Sequence, residues 1–101
     1  MRRPSFVVAV LLIALFAVSF SAAAQGSLAL VFDVGGRGDL SFNDMGAMGG
    51  DRAASELGVK VREVESATTA DFLPNLRALA RTRQYDVIAG IGFLLQDAMA
   101  Q

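Results

Sequence analysis

An open parallel α/β sheet in the order βαβαβα is what this sequence predicts, on three observations. Short apolar runs recur three times, each followed by a stretch with helical spacing, and the first run ends in a loop with three glycines within four residues. Ser27 to Phe32 (SLALVF) has no solvent-facing alternation, so it reads as a strand buried on both faces. Asp33 to Leu40 is the glycine loop. Ser41 is placed to cap a helix, with Asn43 and Asp44 in its first turn, where the helix dipole favours acids. That helix runs to about Leu57 and stops at Gly58, a residue suited to the left-handed C-terminal position. Its apolar side carries Met45, Met48, Ala53 and Leu57. Gly46, Gly49 and Gly50 weaken it by up to about 1 kcal/mol each, or else allow close packing on the sheet.

Val59 to Val64 alternates as VKVREV, a second strand with one wet face and hence near an edge. Thr68 or Thr69 opens a second helix, with Asp71 in its first turn and Phe72, Leu73, Leu76, Leu79 and Ala80 at helical spacing. Pro74 falls early enough to be tolerated. Arg77, Arg81 and Arg83 form its solvated end. Val87 to Gly92 is a third, buried strand, and Phe93 to Gln101 begins a third helix.

The first 24 residues stand outside this pattern. Arg2 and Arg3 precede an apolar stretch from Phe6 to Phe20 without charge, and Ala22 and Ala24 occupy A-x-A positions. That is a secretory leader with cleavage after Ala24, so residues 1–24 are expected to be a signal peptide and residues 25–101 the folded part. The rival is a membrane anchor, but the apolar run is near the lower limit of about 17 residues and ends in small residues.

Removing the leader takes away two of nine bases and none of ten acids, which leaves a net charge of −3. An acidic domain without clustered base excludes a nucleic-acid surface. With no cysteine and no histidine in the chain, disulfides, the usual zinc sites, a lipid-modified cysteine and histidine-based catalysis are all excluded. No cofactor and no metal are expected.

In an open α/β sheet, ligands bind beyond the carboxyl ends of the strands, where strand order reverses. If the first strand is central, the loops from Asp33 to Ser41 and from Gly90 to Phe93 border such a crevice. Glycine lets backbone turn sharply and approach a ligand closely. Gly36 to Ser41 is a near match to the dinucleotide pattern G-x-G-x-x-G, with Glu63 or Glu65 as the ribose acid. However, the third glycine is missing, and Asp39 would repel a pyrophosphate. No G-K-[ST] occurs, so a P-loop is excluded. The plainer alternative is a tight strand-to-helix turn with no ligand.

The segments DVGGRGDLSFND, ELGVKVREVES, DFLPNLRALA and YDVIAGIGFLLQDAM together resemble the basic membrane protein (PnrA-like) family of nucleoside-binding components of ABC importers, over nearly all of residues 27–101. The resemblance implies a type I periplasmic binding protein fold, two α/β lobes around a cleft, of which this chain holds part of the N-terminal lobe. It implies a nucleoside-like small molecule as ligand, an ABC permease in the membrane as partner, and no catalysis. By the same resemblance, Asp33 matches the acid that holds the sugar and Phe42 the aromatic that stacks on the base. Asn43 is a polar contact or a cap, and Gly92 and Phe93 belong to the second loop of the cleft. Such proteins are often lipoproteins with cysteine at the mature N-terminus. This chain has Ala24-Gln25 there, so an exported protein is expected, periplasmic or at the outer face of the plasma membrane. The chain is also much shorter than the family, which reads as an N-terminal fragment carrying half a site.

Phe42 has an alternative as a core residue beneath the helix, and Asp33 as a turn acid bonding the loop's N–H groups. The competing functions are a nucleotide-binding α/β enzyme fragment, which lacks a convincing base and nucleophile, and a non-functional remnant.

Overall fold

The computed structural model describes residues 25–101; the leader expected at residues 1–24 lies outside the described residues. Three strands, β1 (Ser27–Phe32), β2 (Lys60–Val64) and β3 (Val87–Ile91), form a parallel sheet in the order β2-β1-β3. The register pairs Val31 with Val64 on one side and with Gly90 on the other. β1 is therefore central, and chain order reverses across it, which meets the condition under which the two glycine loops border one crevice.

Burial follows from that position. Ala29 and Val31 face one way, against Phe72, Leu76, Leu79 and Leu95. Leu30 and Phe32 face the other way, against Ala47. Strand side chains alternate between faces, so a strand with a helix on each side must be apolar throughout. Removing each of these large side chains from water contributes about 1.5–3 kcal/mol.

Helix α1 (Phe42–Leu57) lies on one face, and α2 (Phe72–Thr82) and the short α3 (Gln96–Met99) lie on the other. α1 ends as its sequence dictates. Gly58 is left-handed (φ +68°), its N–H donates to the Ala54 carbonyl at 3.1 Å, and the Val59 N–H donates to the Ala53 carbonyl at 3.2 Å.

Four expectations need correction. Met45, Met48 and Leu57 do not face the sheet: they are exposed, and the buried side of α1 is Asn43, Ala47 and Gly50. The reason is the close approach of helix to sheet. A Cβ on Gly46 would sit 2.9 Å from the Ile91 side chain, and one on Gly50 would sit 2.8 Å from Leu30. Small residues face the sheet because nothing larger fits, and the methionines are left outside.

β3 is only half buried, with Val87 exposed, because no strand among the described residues pairs with its far edge. Ser41 holds the capping position, but its side chain bonds nothing there. The second and third helices open as 3₁₀ turns, at Thr69–Asp71 and Phe93–Leu95. The first of these turns is fixed by the Asp71 carboxylate, which accepts from the Thr68 N–H at 2.9 Å.

Candidate ligand-binding site

β1 and β3 run side by side, so their carboxyl ends bring Asp33 and Gly92 together. The ladder continues one residue further, with the Asp33 N–H donating to the Ile91 carbonyl at 3.1 Å. Gly92 follows with φ +110°, a conformation that favours glycine. A Cβ at that position would lie 2.5 Å from Oδ2 of Asp33. Gly92 thus serves the acid: its missing side chain is where the carboxylate sits. One oxygen of that carboxylate, Oδ1, accepts from the Val34 N–H at 2.6 Å. Oδ2 has no hydrogen-bond donor among the described residues and lies against Gly92 at the ends of β1 and β3. The role of a turn acid accounts for half of this group.

Asn43 is 1% exposed, and both ends of its amide engage the backbone of Asp33. Its Oδ1 accepts from the Asp33 N–H at 3.1 Å, and its Nδ2 donates to the Asp33 carbonyl at 3.3 Å. The end of β1 is thereby fastened to the first turn of α1. Asn43 positions Asp33 from behind and is closed to a ligand.

Phe42 and Phe93 stand at the same edge of the sheet, one opening α1 and the other following Gly92. They are 70% and 77% exposed. That exposure removes the alternative of Phe42 as a core residue. Leu40, also at this edge, is 93% exposed and has φ +51°, a conformation rare for a branched side chain.

The glycine loop is held by charge. The carboxylate of Asp39 caps α1 in place of Ser41, accepting from Ser41 N–H (2.9 Å), Asn43 N–H (3.0 Å) and Asp44 N–H (3.1 Å). Burial opposes ionisation of Asp39, but the N–H groups of Asn43, Ser41 and Asp44 outweigh it and hold the carboxyl below its ordinary range. Asp44 accepts from the Gly38 and Leu40 N–H groups at 2.7 and 2.9 Å.

Arg37 reaches across to β2 and back to α1. Its Nε donates to Glu63 at 2.8 Å, its guanidinium also pairs with the second oxygen of Glu63, and it lies 3.0 Å from Asp51. The hydrogen bonds that it donates to Glu63, and then to Asp51, raise its already high pKa further. These contacts dispose of the dinucleotide alternative. Glu63 is engaged by the Arg37 side chain and Glu65 faces the Arg37 N–H at 3.4 Å, and the amides at the start of α1 that would hold a pyrophosphate already hold Asp39 and Asp44.

Of the residues expected at the site, Asn43 and Gly92 each contact Asp33, and the two phenylalanines are their chain neighbours at 42 and 93. The Arg37 network was not legible in the sequence. An arginine between glycines was the available signal, but its partners come from another strand and another helix. Beside the loop, Val34, Gly35, Gly36, Glu65, Ser66 and Ala67 line an open recess of about 480 Å³. A separate apolar groove lined by Leu76, Ile88 and Met99 lies between α2 and α3, away from the strands' carboxyl ends.

A carboxylate oxygen without a hydrogen-bond donor among the described residues, exposed aromatic rings and glycine loops at a reversal of strand order are features that a ligand-binding edge of an open α/β sheet presents. The chain belongs to the Bmp family of PnrA-like ABC transporter substrate-binding proteins, whose family model matches residues 27–101. The family and its lipoprotein relatives agree with the location expected from the sequence, exported and either periplasmic or at the outer face of the plasma membrane. An uncharacterized lipoprotein of Pyrococcus horikoshii is 49% identical over 67 residues, covering 66% of this chain and 16% of the relative. One from Pyrococcus furiosus is 47% identical over 74 residues, covering 73% and 19%. The crystal structure of an ABC transporter system solute-binding protein from Aeropyrum pernix K1 superposes with a TM-score of 0.70 at 49% identity, covering 74% of this chain and 20% of that one. The chain therefore spans about a fifth or less of the length of the relatives it matches.

Proposed function

We propose that residues 25–101 form one wall of a nucleoside-binding cleft, in a receptor that delivers its ligand to an ABC permease and performs no chemistry on it. The observation that carries this reading is the placement of the donor-free oxygen of Asp33 and the exposed ring of Phe42 at one edge of the sheet. A carboxylate accepting from vicinal hydroxyls gives short, charge-assisted bonds. A ring facing solvent offers a stacking surface worth about 1–3 kcal/mol per base. Pockets for small molecules bury about 70–90% of the ligand surface, which one wall cannot do. Binding to this wall alone is accordingly expected near millimolar, about −4 kcal/mol.

Saturation-transfer NMR on the full chain, with a purine nucleoside, a pyrimidine nucleoside and free ribose, tests the reading. Base protons of the purine nucleoside should receive the strongest transfer, and the Phe42→Ala variant should lose it while its melting temperature stays unchanged. Equal transfer in Phe42→Ala removes the stacking role. Ribose binding as well as the nucleosides would remove the base from the recognition altogether.

A further inference from the structure

The loop from Val34 to Gly38 is poorly equipped to stay in one shape. Gly35, Gly36 and Gly38 all have positive φ, and no atom lies within 4 Å of where a Cβ would stand on Gly35 or Gly38. Ordering backbone costs roughly 1–2 kcal/mol per residue, and glycine is the most expensive residue to order. No apolar side chain of the loop offsets that cost, since Val34 is itself exposed. The fastening is instead polar: the Gly36 N–H donates to the Asp33 carbonyl at 3.2 Å, the Gly38 N–H donates to Asp44 at 2.7 Å, and the loop's charged side chain, Arg37, ties its middle to the rest of the fold. Arg37 joins the loop to Glu63 at the end of β2 and to Asp51 on α1. Its own N–H points at the Glu65 carboxylate, 3.4 Å away. The planar fork of arginine suits such a double attachment, because it is pre-organised and holds two carboxylates at fixed angles.

We infer that Arg37 is the positioning residue of the cleft wall: it holds the glycine loop in the one shape that presents Asp33 and the neighbouring recess to a ligand. It does so from outside the crevice, without touching the ligand. The attachment is half exposed, with side-chain exposures of 44% for Arg37, 64% for Asp51 and 27% for Glu63. Salt therefore screens it. An unusual consequence follows: the receptor's affinity for an uncharged ligand depends on ionic strength, because salt acts on the wall and not on the ligand.

The test measures loop order directly, by ¹⁵N relaxation at Gly35, Gly36 and Gly38 in the full chain. Wild type, Arg37→Gln and Glu63→Gln are compared at about 0.01 M and about 1 M salt, where the screening length falls from about 30 to about 3 Å. Wild type should be ordered at low salt and loosen at high salt. Arg37→Gln should be loose at low salt and insensitive to it, and Glu63→Gln, which keeps the Asp51 pair, should be looser than wild type and less sensitive to salt, both with melting temperatures near that of wild type. A loop as ordered in Arg37→Gln as in wild type overturns the inference, and so does a loop in wild type that ignores salt. If one variant misfolds, the other decides, because each breaks the same attachment from opposite ends.

A second measurement rests on the nucleoside reading. Purine nucleoside affinity should fall about two- to tenfold in Arg37→Gln, the cost of ordering one or two groups on binding. A loop that loosens with affinity unchanged overturns the positioning role and leaves the nucleoside reading standing. Absence of nucleoside binding in wild type removes that reading, and the relaxation data still decide the role of Arg37.

Discussion

At the scale of single residues, the site depends on side chains that are missing or turned inward as much as on those displayed. Gly92 is an example. Its φ of +110° and the 2.5 Å distance from a hypothetical Cβ to Asp33 Oδ2 leave alanine no accommodation short of moving the acid. Gly92→Ala should therefore destabilise the fold by about 1–2 kcal/mol, the usual cost of a left-handed L-residue, and should displace the Asp33 carboxylate as well. Denaturant titration reads the first effect and the Asp33 carboxyl ¹³C shift the second. Asn43 gives a complementary case. Its amide is buried and doubly bonded to Asp33, so Asn43→Ala should cost about 1–3 kcal/mol in stability. Affinity should fall with it, because Asp33 loses the support of α1. A variant of unchanged stability would mean that the bracket between β1 and α1 is not needed.

At the scale of elements, α1 shows why helical spacing alone chose the wrong face. Apolar periodicity marks Met45, Met48 and Leu57, and these would face the sheet if the helix stood at the usual distance. Glycines at 46 and 50 let it stand closer, and the helix turns its smallest side toward Leu30 and Ile91. The three helix glycines then separate by function. Gly49 has open space around a Cβ, so Gly49→Ala should stabilise by about 0.5–1 kcal/mol through helix propensity. Gly50→Ala makes the same propensity gain but meets Leu30 at 2.8 Å and Val61 at 3.2 Å, and should destabilise by about 1–3 kcal/mol through overpacking. Urea midpoints of the two variants should move in opposite directions. Movement in the same direction would mean that α1 can lift from the sheet without cost.

At the scale of the whole molecule, long-range polar contacts lock the strand ends that the sheet brings together. Ser27 begins β1, and both its N–H and its hydroxyl donate to Asp86, 59 residues away, at 2.8 and 3.0 Å. The Ser27 N–H, then its hydroxyl, lower the pKa of Asp86 against a smaller opposing effect of burial. Asp39 is lowered as well, by the N–H groups at the start of α1 overcoming burial. For both, the folded pKa lies below the ordinary 3.8, so the folded state favours the charged form. Their contribution is present above 3.8 and is lost as pH falls through the lower folded values. Stability followed by circular dichroism should fall below about pH 4, and the fall should be shallower in Asp86→Asn. An identical slope in that variant would mean that Asp86 titrates alike in the folded and unfolded chain.

The sequence by itself determined the architecture. Three apolar runs separated by helical stretches allow little besides a parallel sheet, and the unbroken apolar character of Ser27–Phe32 agrees with its central place, although the equally apolar Val87–Ile91 lies at an edge and only the strand order settles which is central. That position fixed the crevice and hence Asp33, Gly92 and the two phenylalanines beside it, because local pattern and chain connectivity suffice to say where strands end. Tertiary structure alone decided which side chains there remain available. Asn43 looks like a ligand contact in sequence and is consumed by the backbone of Asp33. Ser41 looks like the cap, and Asp39 two residues earlier takes the position. Arg37 carries no signal beyond its place between two glycines, and it joins a helix and a strand 14 and 26 residues away. These outcomes depend on distances between groups remote in the chain, and hydrogen bonds and ion pairs form or fail within a few tenths of an ångström. Periodicity records which face of an element is apolar; it carries no information about which polar group from another element arrives first.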